Sequence, residues 1–342
     1  MVTVVTRRTL RARQALAIAA GISVTALGGL GFVRQGQRHM NPVVDLLAQK
    51  QSVFGVYAPR NGRAGGRGAP PPADAPPPKS AAQLAQDAIA YKTGDYLFDG
   101  TMEGDFDRAF PPFAEFMKGM TDAGMVDKSP SPRLHHPVFV KTHEIAPDPK
   151  LAAERIGKQL NLGVSGIVFV GVESADEVKT GLAAMRFKSQ GGTRPDDVGN
   201  APAAWGMTEK EYKEKADVWP LNPKGELTNW TIVESKEGLK HVREIAAVKG
   251  IAVLLPGAGT LRGVFSPPDS TGKRVFDAVG WEAAIQQVLA ACKEFNVPCG
   301  YPATASDIEM RMKQGFSLFV MNWGDAGFQT VDIGKKVAGR TN

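Results

Sequence analysis

Four short segments of this chain carry side chains able to do chemistry. The first, Asn229 to Glu234, is an apolar run rich in β-branched residues that ends on a carboxylate. Such a run suits a buried strand, so Glu234 stands at the strand's carboxyl end. A carboxylate there can hold a cation or cap the helix that follows. The second segment is Pro256-Gly257-Ala258-Gly259, a turn out of the apolar run Ile251 to Leu255. The backbone N–H groups of such a turn can hold a carboxylate oxygen; a plain strand-to-helix turn is the other reading. The third is the acidic stretch in which Glu103 is flanked by Asp99, Asp105 and Asp107. It can supply a general base or part of a cation site. The fourth is His143, two residues past Lys141, at the end of the run Val138 to Lys141. A histidine titrates near neutrality and can carry protons. His135 and His136 precede the same run, at its amino end.

These residues need elements to place them. Between the first two segments, residues 236–248 carry Leu239, Val242, Ile245 and Ala246 at helical spacing. Gly250 ends that helix, because glycine tolerates the left-handed cap conformation. Residues 228–263 therefore read as strand, helix, strand, glycine-rich loop. The same alternation runs through the chain. Strands are expected at 52–58, 95–99, 137–141, 166–172, 229–234, 251–255, 298–301 and 316–321. Helices are expected at 41–50, 82–91, 106–123, 147–160, 175–185, 236–248, 281–295, 306–313 and 331–338. Alternation of this kind predicts a (β/α)8 TIM barrel over residues 41–342, with chemistry at the carboxyl ends of the strands.

The chain has 342 residues, 43% apolar and 22% charged, which is ordinary for a folded globular protein. Its net charge is +6, and Arg7, Arg8, Arg11 and Arg13 stand in the first 13 residues. The remainder is close to balanced, so the charge gives no reason to expect a nucleic-acid partner. The two cysteines, Cys292 and Cys299, lack metal-ligand spacing. They read as two small buried residues or as a disulfide.

Residues 1–40 read as a targeting segment, a basic start followed by an apolar run from Ala15 to Val33. The Arg7-Arg8 pair with Leu10 is similar to a twin-arginine signal. The run is also long enough for an uncleaved membrane anchor. Both alternatives place the rest of the chain outside the cytoplasm, in the periplasm or anchored on the outer side of the inner membrane. Two insertions interrupt the alternation. Residues 60–81 are rich in Gly, Pro and Ala and read as a linker-like loop. Residues 186–227 are irregular and polar but hold Trp205, Tyr212 and Trp219, which suggests a lid over a pocket or a subunit contact.

Ile232-Val233-Glu234-Ser235 and the segment from Gly250 to Leu261 resemble the HpcH/HpaI aldolase and citrate lyase family. In that family a Q-I-E-T strand end and a G-V-D-G-x-x-x-G-P-x-D-L segment lie at this spacing. The resemblance runs from about Asn41 to about Gly339. It implies a phosphoenolpyruvate/pyruvate-type TIM barrel, a homo-oligomer, and a class II aldolase reaction on a 2-keto acid. There a divalent metal, Mg2+ or Mn2+, stabilises the enolate formed when a carbon–carbon bond breaks. Glu234 falls on a metal-ligand position, and the second ligand position falls on Thr260. The family arginine falls on Lys141, which keeps the charge but not the bidentate fork. The family histidine falls on Met102, or with one inserted residue on Glu103, and its partner aspartate falls on Asn161. Asp325 matches a position near the substrate pocket, and Trp323 beside it would make an apolar wall.

The resulting expectation has Lys141, Glu103 and His143 as catalytic residues. Gly257, Ala258, Gly259, Thr260 and Asp325 would bind a small carboxylic acid, and Glu234 with Glu103 would hold the metal. The function expected is a carbon–carbon lyase. The alternative is a barrel that binds a small carboxylated ligand outside the cytoplasm without turning it over.

Overall fold

The computed structural model of the chain describes residues 38–61, 77–128 and 131–340. Residues 1–37 of the targeting segment and most of the first insertion lie outside these residues. The described residues all belong to one compact unit, Arg38–Asn342. Among them, no helix is long and apolar enough to cross a membrane.

Eight strands stand near the expected places: β1 Val53–Tyr57, β2 Tyr96–Asp99, β3 Val138–Lys141, β4 Gly166–Phe169, β5 Leu227–Val233, β6 Ile251–Pro256, β7 Gly300–Pro302 and β8 Leu318–Met321. All pair in parallel, β1 with β2, then β3, β4, β5 and β6 in turn, while β8 lies between β7 and β1. The sheet curls until its two ends meet. There Leu254 and Cys299 form a single parallel bridge, and the Leu254 N–H donates to the Pro298 carbonyl at 3.0 Å. This is a TIM-barrel-like α/β fold.

Side-chain size sets the packing inside the curl. Tyr96, Phe139 and Trp230 come from β2, β3 and β5, with the Phe139 and Trp230 rings stacked 4.2 Å apart. The Tyr96 hydroxyl donates across to the Phe319 carbonyl at 2.7 Å. Room for these rings comes from glycine. A Cβ at Gly55 would stand 2.4 Å from the Tyr96 ring, and one at Gly166 would stand 2.4 Å from the Thr228 carbonyl. Val43 and Leu47 of the helix Pro42–Ala48 join this inner cluster. Asn41 caps that helix by accepting from the Val43 N–H, and the backbone N–H groups of Met40 and Asn41 donate to Glu226 at the foot of β5.

Several local features differ from expectation. The helix at 236–248 is two short helices, Lys236–Lys240 and Val242–Ala246, broken at His241. The last helix begins earlier, at Asp325. Of the two readings of the cysteines, the disulfide is the one present, with the Cα atoms of Cys292 and Cys299 5.7 Å apart. At the first insertion, Asn61 and Lys79 exchange two hydrogen bonds, of 2.7 and 2.8 Å.

The second insertion is not a lid over the mouth. Trp205 donates from Nε1 to the Gly163 carbonyl at 2.8 Å, and the Tyr212 hydroxyl donates to the Leu160 carbonyl at 3.3 Å. Leu160 and Gly163 lie just ahead of β4, so both rings anchor the insertion at the amino ends of the strands. Trp219 lies in a two-residue strand, Val218–Trp219, that pairs with the first residues of β5. Arg194 stacks over Phe187 and donates to Asn161, which ties the segment together from within. The insertion is a buttress on the face away from the carboxyl ends.

Candidate active site

The carboxyl ends of β1, β2, β3 and β5 bring four of the relevant side chains together. Lys141 is the last residue of β3, and its Nζ donates to Glu103 Oε2 at 2.7 Å. Glu103 lies in a single 3-10 turn, Thr101–Glu103, directly after β2. Asp99 shapes that turn by accepting from the Thr101 N–H at 2.9 Å and its hydroxyl at 2.6 Å, the side-chain-to-backbone bond that short polar residues make in turns. The stem of Lys141 passes over Gly100, where a Cβ would stand 3.4 Å from Lys141 Cδ and 3.6 Å from Tyr57 Cε1. Gly100 thus lies beside both the Lys141 stem and the Tyr57 ring. From behind, Gln159 Nε2 donates to the Lys141 carbonyl at 2.9 Å and fixes the strand end.

His143 belongs to the same constellation by its backing. Its Nδ1 lies 3.0 Å from the Glu103 carbonyl oxygen, so the ring braces the turn that presents the Glu103 carboxylate.

The electrostatics follow from this geometry. Burial opposes the charged form of Lys141, but Glu103, with Tyr57 and Glu234 further off, outweighs it and holds the pKa above the ordinary lysine value. Lys141 is thus a fixed cation at neutral pH. Burial pushes the Tyr57 hydroxyl up, with Lys141 pulling the other way. Burial likewise raises the Asp99 carboxyl, against the hydrogen bonds from Thr101 and the charge of Arg60.

Glu234 is buried one residue past β5, and its Oε1 accepts the Gly171 N–H at 2.9 Å. Ser235, not Glu234, caps the next helix, accepting from the Gly238 N–H. That removes the capping role from Glu234. The glycine-rich turn presses on it: a Cβ at Gly257 would stand 2.4 Å from Glu234 Cβ and 2.6 Å from its Oε2. The Gly257 N–H is already used, donating to the Val233 carbonyl at 2.9 Å, so it is not free for a substrate. The Ala258 carbonyl accepts from Trp281 Nε1 at 2.9 Å. Gly259 and Thr260 are exposed on the short helix Ala258–Val264, and Asp325 is exposed at the start of the last helix. No hydrogen bond or ion pair among the described residues joins Thr260 or Asp325 to Lys141, Glu103 or Glu234. Trp323 packs on Tyr91 and Phe328 instead of walling the mouth.

Among the described residues, no group of three or more His, Cys, Asp or Glu side chains is placed to hold a metal ion. The expected ligand pair of Glu234 and Glu103 falls short for visible reasons. One Glu234 oxygen is bonded to Gly171, Glu103 is neutralised by Lys141, and the second ligand position is the exposed, uncharged Thr260. Asn161 stands away from the mouth, bonded to Asp197 and Arg194 at the foot of β4.

Three residues escaped sequence reading. Tyr57 had a signal, since an aromatic side chain at the end of β1 faces either the mouth or the core. Gly171 and Gln159 had none, because Gly171 acts through its backbone N–H and Gln159 through a side-chain bond to the Lys141 backbone carbonyl.

The family model for HpcH/HpaI aldolase/citrate lyase matches residues 143–325. Among solved structures, a HpcH/HpaI aldolase/citrate lyase family protein from Burkholderia cenocepacia J2315 superposes with a TM-score of 0.59 at 19% identity, covering 87% of this chain and 98% of that one. The HpcH/HpaI aldolase from Desulfitobacterium hafniense DCB-2 gives 0.56 at 14% identity, covering 86% and 95%. Macrophomate synthase gives 0.55 at 16% identity, covering 88% and 89%. At these identities the likeness is one of fold. No curated protein matches the chain.

Proposed function

The chain belongs to the HpcH/HpaI aldolase/citrate lyase family, a family of aldolase and citrate lyase-type enzymes, and from that premise we propose that it is a carbon–carbon lyase acting on a 2-keto acid or a related carboxylic acid. The observation that carries the reading is the ion pair of the mostly buried Lys141 with the half-exposed Glu103, beside Tyr57 at the carboxyl ends of β1 to β3.

Breaking the bond next to a carbonyl puts negative charge on the carbonyl oxygen. A cation already fixed in place stabilises that charge without reorganising during the reaction. Lys141 is such a cation. Because its pKa is raised, it is a poor nucleophile, and the reading assigns it an electrostatic role and no covalent one. With Lys141 held on Glu103 Oε2, the other oxygen of the Glu103 carboxylate can accept the proton of a substrate hydroxyl as the carbon–carbon bond breaks. The enolate left behind takes a proton at carbon to give the keto acid, and His143, braced on the Glu103 backbone, is assigned the return of the proton to that carbon.

A bound Mg2+ or Mn2+, which the family resemblance implies, would supply Lewis-acid stabilisation of the same oxygen. The donor set fits such an ion poorly, for the reasons given above, and no step is assigned to it. One observation favours a second reading, a barrel that binds a small carboxylate without turnover: the second ligand position is an exposed threonine.

Export of the chain is part of the proposal. The Cys292–Cys299 disulfide supports it, since such bonds persist in oxidising compartments.

The test is pyruvate release from 4-hydroxy-2-keto acids by the purified full chain, read with a coupled dehydrogenase. Lys141→Met should lower kcat by about 100- to 1,000-fold, the usual effect of removing one preorganised charge-stabilising donor. Saturable pyruvate binding with no release from any such acid would select the second reading.

A further inference from the structure

A second cleft, of about 910 Å3, opens at the other end of the molecule, around the amino ends of β6, β7 and β8. It has two kinds of lining. Lys50, Lys249 and Lys293 supply three positive charges, and no aspartate or glutamate lines it. None of the three ammonium groups has a hydrogen-bond or ion-pair partner among the described residues. Trp219, Leu221 and Phe295 supply apolar surface, with Leu221 41% and Phe295 36% exposed.

Two local details concern Lys50 and Lys293. Lys50 has φ 55°, and it and Asn296 are the only non-glycine residues with positive φ among those described; both line this cleft. The position follows a helix end, where glycine or asparagine is the ordinary choice and a longer side chain is disfavoured. Lys293 lies against Gly315, where a Cβ would stand 3.0 Å from its Cε and 3.6 Å from its Nζ.

We propose that this cleft binds a single-chain anionic amphiphile. The anionic head, a carboxylate, sulfate or phosphate, sits among the three lysines, and the alkyl chain lies over Trp219, Leu221 and Phe295. The volume is within the range of small-molecule sites, about 300–1,000 Å3. Three cations without an ionic partner among the described residues line one concave, partly apolar space, and an anion there compensates them. A purely ionic ligand would leave the exposed Leu221 and Phe295 in water. A neutral apolar one would leave the lysines uncompensated. A free fatty acid and an anionic lipid in a bilayer offer the same chemistry; the concave shape favours the free molecule.

The experiment is calorimetric titration of the full chain with monomeric sodium dodecanoate, below its micelle concentration. Parallel titrations use 1-dodecanol and phosphatidylglycerol vesicles. The expected result is saturable binding of one dodecanoate per chain, weakened at least tenfold by Lys50→Glu and by Lys293→Glu, with weaker binding of dodecanol. Leu221→Asp should weaken it as well, and circular dichroism melts of each variant establish that the fold is intact. Absence of dodecanoate binding, unchanged binding in both lysine variants, or binding to vesicles alone would each overturn the proposal.

Discussion

The Lys141 ammonium and the Glu103 carboxylate meet at 2.7 Å, although they come from the ends of two different strands and one of them is mostly buried. Each residue decides the state of the other. Glu103→Gln removes the main attraction that offsets the burial of Lys141, so the Lys141 pKa should fall. The alkaline limb of the kcat/KM profile should then move to lower pH. An alkaline limb unchanged in Glu103→Gln would show that Lys141 does not govern it.

The metal prediction is equally direct. Among the described residues no group of three or more His, Cys, Asp or Glu side chains is placed to hold a metal ion, so titration of the chelated full chain with Mn2+ should show no saturable site that Glu234→Gln abolishes. Electron paramagnetic resonance of free Mn2+ reads this without reference to activity. A site lost in Glu234→Gln would return the family's metal-dependent route to this chain.

Trp205 tests the buttress. It is fully buried and bonded to the Gly163 carbonyl at the amino ends of the strands. Trp205→Ala should cost about 3–5 kcal/mol of stability, as large-to-small changes in a packed core do. The kcat measured well below the new melting temperature should stay unchanged. A lid over the mouth would give the reverse pattern, with small loss of stability and large loss of turnover.

His136 predicts an acid-sensitive fold. It is buried, and neither ring nitrogen has a hydrogen-bond partner in good geometry among the described residues. Burial, with the charge of Lys92, lowers its pKa to about 4. The unfolded chain takes up this proton near pH 6.5 and the folded chain does not. Stability therefore falls as pH drops from about 6.5 to about 4, by roughly 3 kcal/mol from this group, and levels off below that. Urea unfolding at pH 7 and pH 4.5 measures it. His136→Leu should flatten the dependence, and an equal slope in both proteins would assign the acid sensitivity elsewhere.

The frame was legible because strands and helices differ in the period of their apolar residues. Val138 to Lys141 and Ile251 to Leu255 stand as strands where periodicity put them. Glu234 at a strand end was legible for the same reason. Thr260 and Asp325 were not, because an aligned position fixes a place along the chain and not the direction of a side chain. That the insertion packs at the amino ends of the strands was not legible, because Trp205 and Tyr212 obey no period. Each donates to a carbonyl far back in the chain, 42 residues earlier for Trp205 and 52 for Tyr212.

The Cys292–Cys299 bond has a consequence for how the sheet stays shut. Between β6 and β7 the backbone contributes one bridge, at Leu254 and Cys299. The covalent link lies at that seam, tying the last turns of the helix Ala278–Phe295 to the chain entering β7, with Cys292 Sγ 3.8 Å from the Leu254 carbonyl. The two cysteines are only 7 residues apart, so the link shortens the unfolded chain little. Its effect is local, like a clasp on a hoop. In a reducing compartment the hoop would keep its fold and lose its clasp, and the Leu254 amide would be the first of the strand amides to exchange with solvent.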